Sequence, residues 1–300
     1  MGDVNFDNNG NMERSPVFSL DQCIVQAPFR AAPEKAEKLA QKISDLQIRF
    51  EDDSGKFTFE VGKGEIRISA GALNLFWAAG YTYWMLYQGY VTAQRAGQNE
   101  YRPALDVPAV EAFQLYLWAL RNTSTGVLEE WPKTLPRPHP SPPPESLVDV
   151  GNELFLVAIA WIILHEIGHV ELRQPPVAIA ATTKQEEHEA DVFATDWMLG
   201  EITGPALVLK RSLGIAVANV TLIAIDLQRG SFAGHTHPPS YERAHRNLRF
   251  RQLEAEHPVH AFLTALLQVH LTVFGVNHSL DAARAFDALV DDLCFQLSRT

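Results

Sequence analysis

The sequence is poor in cysteine and in basic residues, and each shortage excludes a class of protein. Its two cysteines, Cys23 and Cys294, lie near opposite ends of the 300 residues and form no C-x-x-C pair. Neither a disulfide framework nor a zinc thiolate cluster is therefore expected, and we predict a cytoplasmic location. With 25 Lys+Arg against 36 Asp+Glu, the formal net charge is −11. This charge opposes the phosphate neutralisation that supplies most nucleic-acid affinity, so no nucleic-acid partner is expected.

We also expect neither a secretion signal nor a membrane span. Residues 1–15 contain no apolar segment of the kind that a signal peptide needs. The uncharged stretch Ile68 to Gln94 is long enough to cross a bilayer, but amide and hydroxyl side chains interrupt it. A second apolar run, Leu154 to Leu164, is too short to span. We therefore expect buried helices and no membrane contact.

The hydrophobic periodicity predicts an α+β fold that is mostly helical. Alternating apolar residues between Ile48 and Ser69, with turn signals at 53–55 and 62–64, predict a small N-terminal antiparallel sheet, arranged as a meander. A helix is predicted from Pro33. Further helices are predicted near 70–94, 109–122, 150–172, 184–199, 205–228, 239–255, 258–275 and 280–298.

The predicted organisation is one domain with a short tail and one unusual loop. Residues 1–20 are expected to be a disordered or loosely packed tail, and 21–300 to form a single catalytic domain. Seven prolines in 131–147 prevent a helix or a central strand there. We expect a stiff surface loop at this position.

One pentapeptide contains candidate metal ligands and a candidate general base. Residues 165–169 read His-Glu-Ile-Gly-His and continue directly from the apolar run before them, so they lie on a buried helix. His165 and His169 project from one face, about 6 Å apart along the axis, and could bind one Zn²⁺. Glu166 lies about 100° further round the helix and is placed to act as a general base.

A catalytic zinc site with an open position needs a third protein ligand. Glu187 is the candidate, because Asp191 follows it by one helical turn and could contact the second nitrogen of a ligating histidine. Two alternatives stay open: these acids could form a solvated helix start, or His188 could be the ligand. The extended motif with a third histidine is excluded because Leu172 and Pro175 occupy its glycine and histidine positions.

A polar turn at 235–243 offers a further group. His237 could stabilise an oxyanion that forms beside the metal, or it could simply cap the helix that follows Pro238. The residue types alone do not separate these two roles.

Three segments together resemble the gluzincin zinc metallopeptidases, which include the HtpX-type and CAAX-prenyl proteases. These segments are His165-Glu166-x-x-His169, Glu187-x-x-Ala190-Asp191, and Thr236-His237-Pro238 with Arg243. Without membrane helices, and with a meander before an aromatic helix, the chain is more similar to the soluble Lit family of phage-exclusion peptidases.

The resemblance implies a role for each matching residue. It places zinc on His165, His169 and Glu187, the general base at Glu166, a supporting role at Asp191, and His237 near the oxyanion. The Lit resemblance further implies phage defence, elongation factor Tu as the protein substrate, and activity that waits for an activator.

We therefore expect an α+β, zincin-like metalloendopeptidase that hydrolyses peptide bonds with zinc-activated water. The predicted sheet would flank a cleft whose floor is the helix bearing His165, and its edge could pair with an extended peptide. Two other functions remain: a catalytically silent, zinc-stabilised interaction module, and a membrane-associated HtpX-like protease anchored through 68–94.

Overall fold

A computed structural model describes residues 14–98, 101–172, 183–229, 237–249 and 257–273 of the chain. Within these ranges the protein is mostly helical with a small three-stranded sheet, which confirms the α+β class. The α-helices are α1 (Asp21–Ala31), α2 (Ala36–Lys42), α3 (Ala70–Arg95), α4 (Val107–Thr125), α5 (Leu147–Glu171), α6 (Lys184–Leu199), α7 (Pro205–Arg229), α8 (Ser240–Arg249) and α9 (Pro258–Val273). The helix predicted near 280–298 lies outside the described residues.

The sheet is mixed, so the predicted antiparallel meander is wrong in one pairing. Strands β1 (Gln47–Glu51), β2 (Phe59–Gly62) and β3 (Glu65–Ser69) lie in the order β1-β3-β2, with β1 parallel to β3. Antiparallel β2 and β3 join through Lys63 and Gly64, whose φ angles of 52° and 80° suit a tight two-residue hairpin. The hairpin pairs β2 with one edge of β3, so β1 pairs with the other edge. Alternating hydrophobicity is the same for both pairings and could not distinguish them.

Helix α5 forms the centre of the core. It packs against α1, α3, α6, α7 and β2. It begins at Ser146, whose hydroxyl accepts a hydrogen bond from the Asp149 backbone N–H at 3.2 Å. Because neighbours surround this helix, its residues are apolar on nearly every face, as expected of a helix buried in a core.

Within the described residues, two helices are long and apolar enough to cross a membrane, judged by length and composition alone. They are α5 and α7, and both are mostly buried inside the protein. The run Leu154 to Leu164, too short to span a membrane by itself, is part of the 25-residue helix α5, which passes this test as a whole. Core helices of soluble proteins pass the same test, so this observation is weak evidence for a membrane.

The N-terminal region differs from its prediction. Residues 16–20 form a 3₁₀ helix in which Val17 and Leu20 are buried, and α1 follows it directly. The last part of the predicted 1–20 tail is thus packed, because its apolar side chains join the core. The division into a tail and one domain otherwise stays a prediction.

The proline-rich loop at 131–147 precedes α5 and is attached to the core at several points. Trp131 is buried and donates its indole N–H to the Pro136 carbonyl at 3.1 Å. The His139 carbonyl accepts a hydrogen bond from Asn152 Nδ2 at 2.8 Å. These contacts hold the loop against the helix that carries the candidate site.

Candidate metal centre

The two histidines of the pentapeptide lie together on α5. His165 and His169 are four residues apart, so one turn of helix separates them and both point the same way. Their Nε2 atoms lie 3.1 Å apart, and the two residues are only 5% and 4% exposed. Two imidazole nitrogens therefore converge on one buried point.

Helix α6 brings the carboxylates to this point. It begins with a capping box, in which Thr183 Oγ1 accepts from the Glu186 N–H at 3.2 Å and Glu186 Oε2 accepts from the Thr183 N–H at 2.6 Å. The cap places Glu187 in the first turn, and Ala190 then packs against Gly168 of α5. Glu187 is 1% exposed, so its carboxylate is fully enclosed.

Glu187 forms, with the two histidines, a group of three side chains that could hold a metal ion. Its Oε2 lies 3.4 Å from His165 Nε2, and its Oε1 lies 3.5 Å from His169 Nε2. One ligand atom from each of the three residues lies within 4.8 Å of the others, and His188 is not in this group. Among the described residues, the buried Glu187 Oε2 has no hydrogen-bond partner.

These separations suit a metal ion. Tetrahedral zinc with bonds of about 2.0–2.1 Å holds its nitrogen and oxygen ligands about 3.4 Å apart. The distances of 3.1, 3.4 and 3.5 Å are close to that value. The group thus combines two imidazole nitrogens with a buried carboxylate oxygen that has no hydrogen-bond partner in the part of the chain that the structure describes. This combination of atoms fits Zn²⁺.

Asp191 lies behind the first histidine. Its Oδ1 is 2.9 Å from His165 Nδ1, the ring nitrogen that does not face Glu187. Arg243 of α8 donates two hydrogen bonds to the same carboxylate, from Nε at 2.9 Å and from Nη2 at 2.7 Å. Although burial raises the pKa of Asp191, the positive charge of Arg243 and the contact with His165 hold that pKa below its usual value.

The charge state of Glu187 follows from the same surroundings. Burial alone would raise its pKa, but the contact with His165 and the positive charge of Arg243 lower the pKa to about 2. Glu187 is therefore an ionised carboxylate at neutral pH, which is the form that binds a metal.

Glu166 lies beside the ligands and contacts the sheet. Its Oε2 accepts a hydrogen bond from the backbone N–H of Val61 in β2 at 3.1 Å. Burial is the main cause that raises the pKa of Glu166 to about 7. A carboxyl group with such a pKa can both accept and donate a proton near neutral pH.

His237 approaches Glu187 from a separate loop just before α8. Its Nε2 lies 3.4 Å from Glu187 Oε1, and its side chain is 50% exposed. His235 and Thr236, which precede it in the polar turn, lie outside the described residues. The structure thus places His237 beside the ligand set, with half of its side chain open to solvent.

Two contacts of the site were not predicted from the sequence. The N–H of Val61 belongs to the backbone, so the residue type at this position does not predict the contact. Arg243 was noted only as part of the resemblance. Its burial, at 8% exposed, is a tertiary property that the residue types of α8 do not reveal.

Comparison with known proteins identifies a peptidase family and a peptidase relative. The sequence profile of the family named peptidase U49 matches residues 66–263, which include every site residue described above except Val61. The chain is 33% identical over 294 residues to the "Cell death peptidase" of Escherichia coli (strain K12), an alignment that covers 95% of this chain and 98% of the relative. No solved structure matches.

Proposed function

The chain belongs to the peptidase U49 family, and from this premise we propose that it is a zinc-dependent metallopeptidase. The relationship confirms a peptidase and supports the Lit-like resemblance. The observation that carries the zinc proposal is the buried group His165, His169 and Glu187, whose ligand atoms lie within 4.8 Å of one another.

The proposed roles follow from position. His165, His169 and Glu187 would hold Zn²⁺, which when bound supplies a Lewis acid that polarises the scissile carbonyl and makes water a better nucleophile. Glu166, next to a ligand and held by the Val61 N–H, accepts a proton from the attacking water. It then delivers that proton to the leaving amine.

We propose that His237 assists at the oxyanion. It enters from a loop that is separate from α5 and α6, and its half-exposed side chain is available to a substrate. A donor aimed at the developing negative charge stabilises the transition state more than the ground state. At the start of α8 the Ser240 N–H donates to Asp226 Oδ2 at 3.1 Å, and the alternative role of His237 as a helix cap stays a prediction.

The substrate is proposed to be a protein. Resemblance to the Lit peptidases supports elongation factor Tu as the substrate, a role in phage defence, and dependence on an activator. Incubation of the purified protein with elongation factor Tu, with and without extracts of phage-infected cells, tests the substrate and the need for an activator. An intact elongation factor under every condition would reject this substrate.

We propose a cytoplasmic location. Burial of the two long apolar helices supports core helices rather than membrane anchors. A membrane-associated protease is the competing possibility. Purification without detergent as a monodisperse protein is expected here, and extraction only with detergent would favour the membrane protein.

One experiment tests the enzyme directly. Glu166→Gln keeps an acceptor for the Val61 N–H but cannot carry the proton, so zinc content should equal that of the wild type and cleavage should stop. His169→Ala should lose the metal. Metal analysis would be combined with a proteome-wide search for new peptide termini.

A matched control is available on the same helix. Glu153 lies on α5 with its side chain 52% exposed, against Lys210, so Glu153→Gln should change neither metal content nor cleavage. Normal cleavage by Glu166→Gln would show that the base is assigned wrongly. Zinc binding without any cleavage by the wild type would favour the silent interaction module.

A further inference from the structure

We infer that Arg243 is a positioning residue for the metal centre, acting through Asp191 on His165. The inference rests on the proposed zinc site and adds to it a residue from a third helix. Arg243 is 8% exposed and lies on α8, which follows the loop that carries His237. The side-chain hydrogen bonds of Arg243 are made to Asp191, which is neither a proposed ligand nor the proposed base.

The first step concerns the orientation of Asp191. This carboxylate is 1% exposed, and its Oδ1 lies 2.9 Å from His165 Nδ1. A single contact of this kind leaves the carboxylate free to rotate about its own axis. The two bonds from Arg243, to Oδ2 at 2.9 Å and to Oδ1 at 2.7 Å, fix the carboxylate plane. Asp191 therefore presents Oδ1 to the imidazole in one orientation.

The second step links orientation to the metal. Contact between a carboxylate and the far nitrogen of a ligating histidine sets which ring nitrogen is free to bind, and also sets the ring plane. The same guanidinium comes within 3.8 Å of Glu187 Oε2 through Nη1. The buried Arg243 guanidinium thus lies next to Asp191, which contacts His165, and next to Glu187.

The third step is that α8 itself is anchored away from α5 and α6. Asn247, one turn after Arg243, donates from Nδ2 to Asn219 Oδ1 on α7 at 3.1 Å. At the start of α8 the Ser240 N–H bonds to Asp226, also on α7. Arg243 lies between these two buried or partly buried attachments, so its place does not depend on the metal ligands that it orients.

Charge alone predicts the opposite result, which makes the inference testable. Removing a cation near a bound metal ion would strengthen metal binding if only electrostatic repulsion mattered. Removing a group that orients a ligand should weaken metal binding, by about 10-fold to 100-fold for supporting contacts of this kind. The sign of the change in zinc affinity separates the two effects.

The experiment measures Zn²⁺ affinity of the full chain by competition with a chelator. Arg243→Ala should bind Zn²⁺ at least about 10-fold more weakly than the wild type. Arg243→Lys keeps the charge but loses the two-pronged geometry, so it should also bind more weakly. In an Asp191→Asn background, Arg243→Ala should cause little further loss, because its effect passes through Asp191.

Two controls separate positioning from general stability. Arg246→Ala removes an exposed arginine from the same helix and should leave the affinity unchanged. Arg211→Ala removes another buried arginine, which pairs with Glu34 away from the site. It should lower the melting temperature of the metal-free protein without changing zinc affinity. The visible spectrum of the Co²⁺-substituted chain, which reports ligand geometry, should change for Arg243→Lys but not for Arg211→Ala.

The outcomes are distinct. Zinc affinity equal to or above that of the wild type in folded Arg243→Ala, or in folded Arg243→Lys should the alanine variant not fold, would overturn the inference. Full additivity with Asp191→Asn would also overturn it. A wild-type chain that binds no Zn²⁺ would instead refute the proposed metal site on which the inference rests.

Discussion

Gly168 lies directly against Ala190 where α5 and α6 cross. A Cβ atom added to Gly168 would be 3.1 Å from the Ala190 Cα and 3.3 Å from the Ala190 carbonyl oxygen. Because no side chain separates the two backbones, α6 comes close enough for Glu187 to reach both histidines. The glycine inside the pentapeptide thus has a packing role as well as a place in the motif.

Gly168→Ala should therefore weaken metal binding. The added methyl group has tighter contacts than most Cβ atoms and must push α6 away by a few tenths of an ångström. We expect zinc affinity to fall about 10-fold, as for other losses of ligand support. Chelator competition measures this change.

Gly80→Ala is the matched control, because its Cβ would crowd α5 from the side of α3, at 3.3 Å from the Phe155 nitrogen. Both variants also gain helix propensity of about 1 kcal/mol. Zinc affinity should be unchanged for Gly80→Ala. Equal losses of zinc affinity in Gly168→Ala and Gly80→Ala would mean that close packing at the α5–α6 crossing has no particular effect on metal binding.

Glu34→Gln should destabilise the fold. Glu34 accepts hydrogen bonds from Arg211 Nη1 at 2.6 Å and Nη2 at 2.9 Å, and Arg211 is 2% exposed. The variant leaves a buried guanidinium without its counter-ion. Because Glu34 itself is 39% exposed and partly solvated, we expect a loss of about 1–3 kcal/mol in the free energy of unfolding. Urea unfolding measures it, and Glu37→Gln, an exposed neighbour, should change it by less than about 0.5 kcal/mol.

The same pair predicts a pH dependence of stability. Hydrogen bonds from Arg211 are the main cause that lowers the pKa of Glu34 below its ordinary value of 4.5. The folded state therefore binds the proton more weakly than the unfolded state. The stabilising contribution is fully present above the ordinary pKa and is lost as pH falls through the folded-state pKa.

The measurement is the difference in unfolding free energy between wild type and Glu34→Gln. This difference should be constant near neutral pH and should become smaller as the pH falls below 4.5. A difference that does not vary across this acid range would contradict the assignment.

Removal of metal should lower thermal stability. A ligand that binds only the folded state adds RT ln(1 + [L]/Kd), or about 2.7 kcal/mol at a hundredfold excess over Kd. The wild type should therefore unfold at a lower temperature in EDTA than with excess Zn²⁺. His169→Ala, which lacks one ligand, should show no such difference. Identical melting temperatures for the wild type in both solutions would count against a resident metal.

Most helices follow from local patterns. The predicted segments 184–199 and 205–228 agree with α6 and α7 to within a residue, because their ends carry local signals such as the Thr183 cap. Helix α1 was not predicted. Its apolar residues are interrupted by polar ones, and Pro28 lies within it, so the sequence gives no clear start or stop.

The sequence by itself determined that His165, Glu166 and His169 share a buried helix, because a period of 3.6 residues and the run of apolar neighbours are local properties. Only the tertiary structure decided which groups meet them: Glu187 across a helix crossing, Val61 from an edge strand, and Arg243 through Asp191. These contacts join residues far apart in the chain. They depend on how closely and at what angle the elements pack, and no local period encodes that geometry.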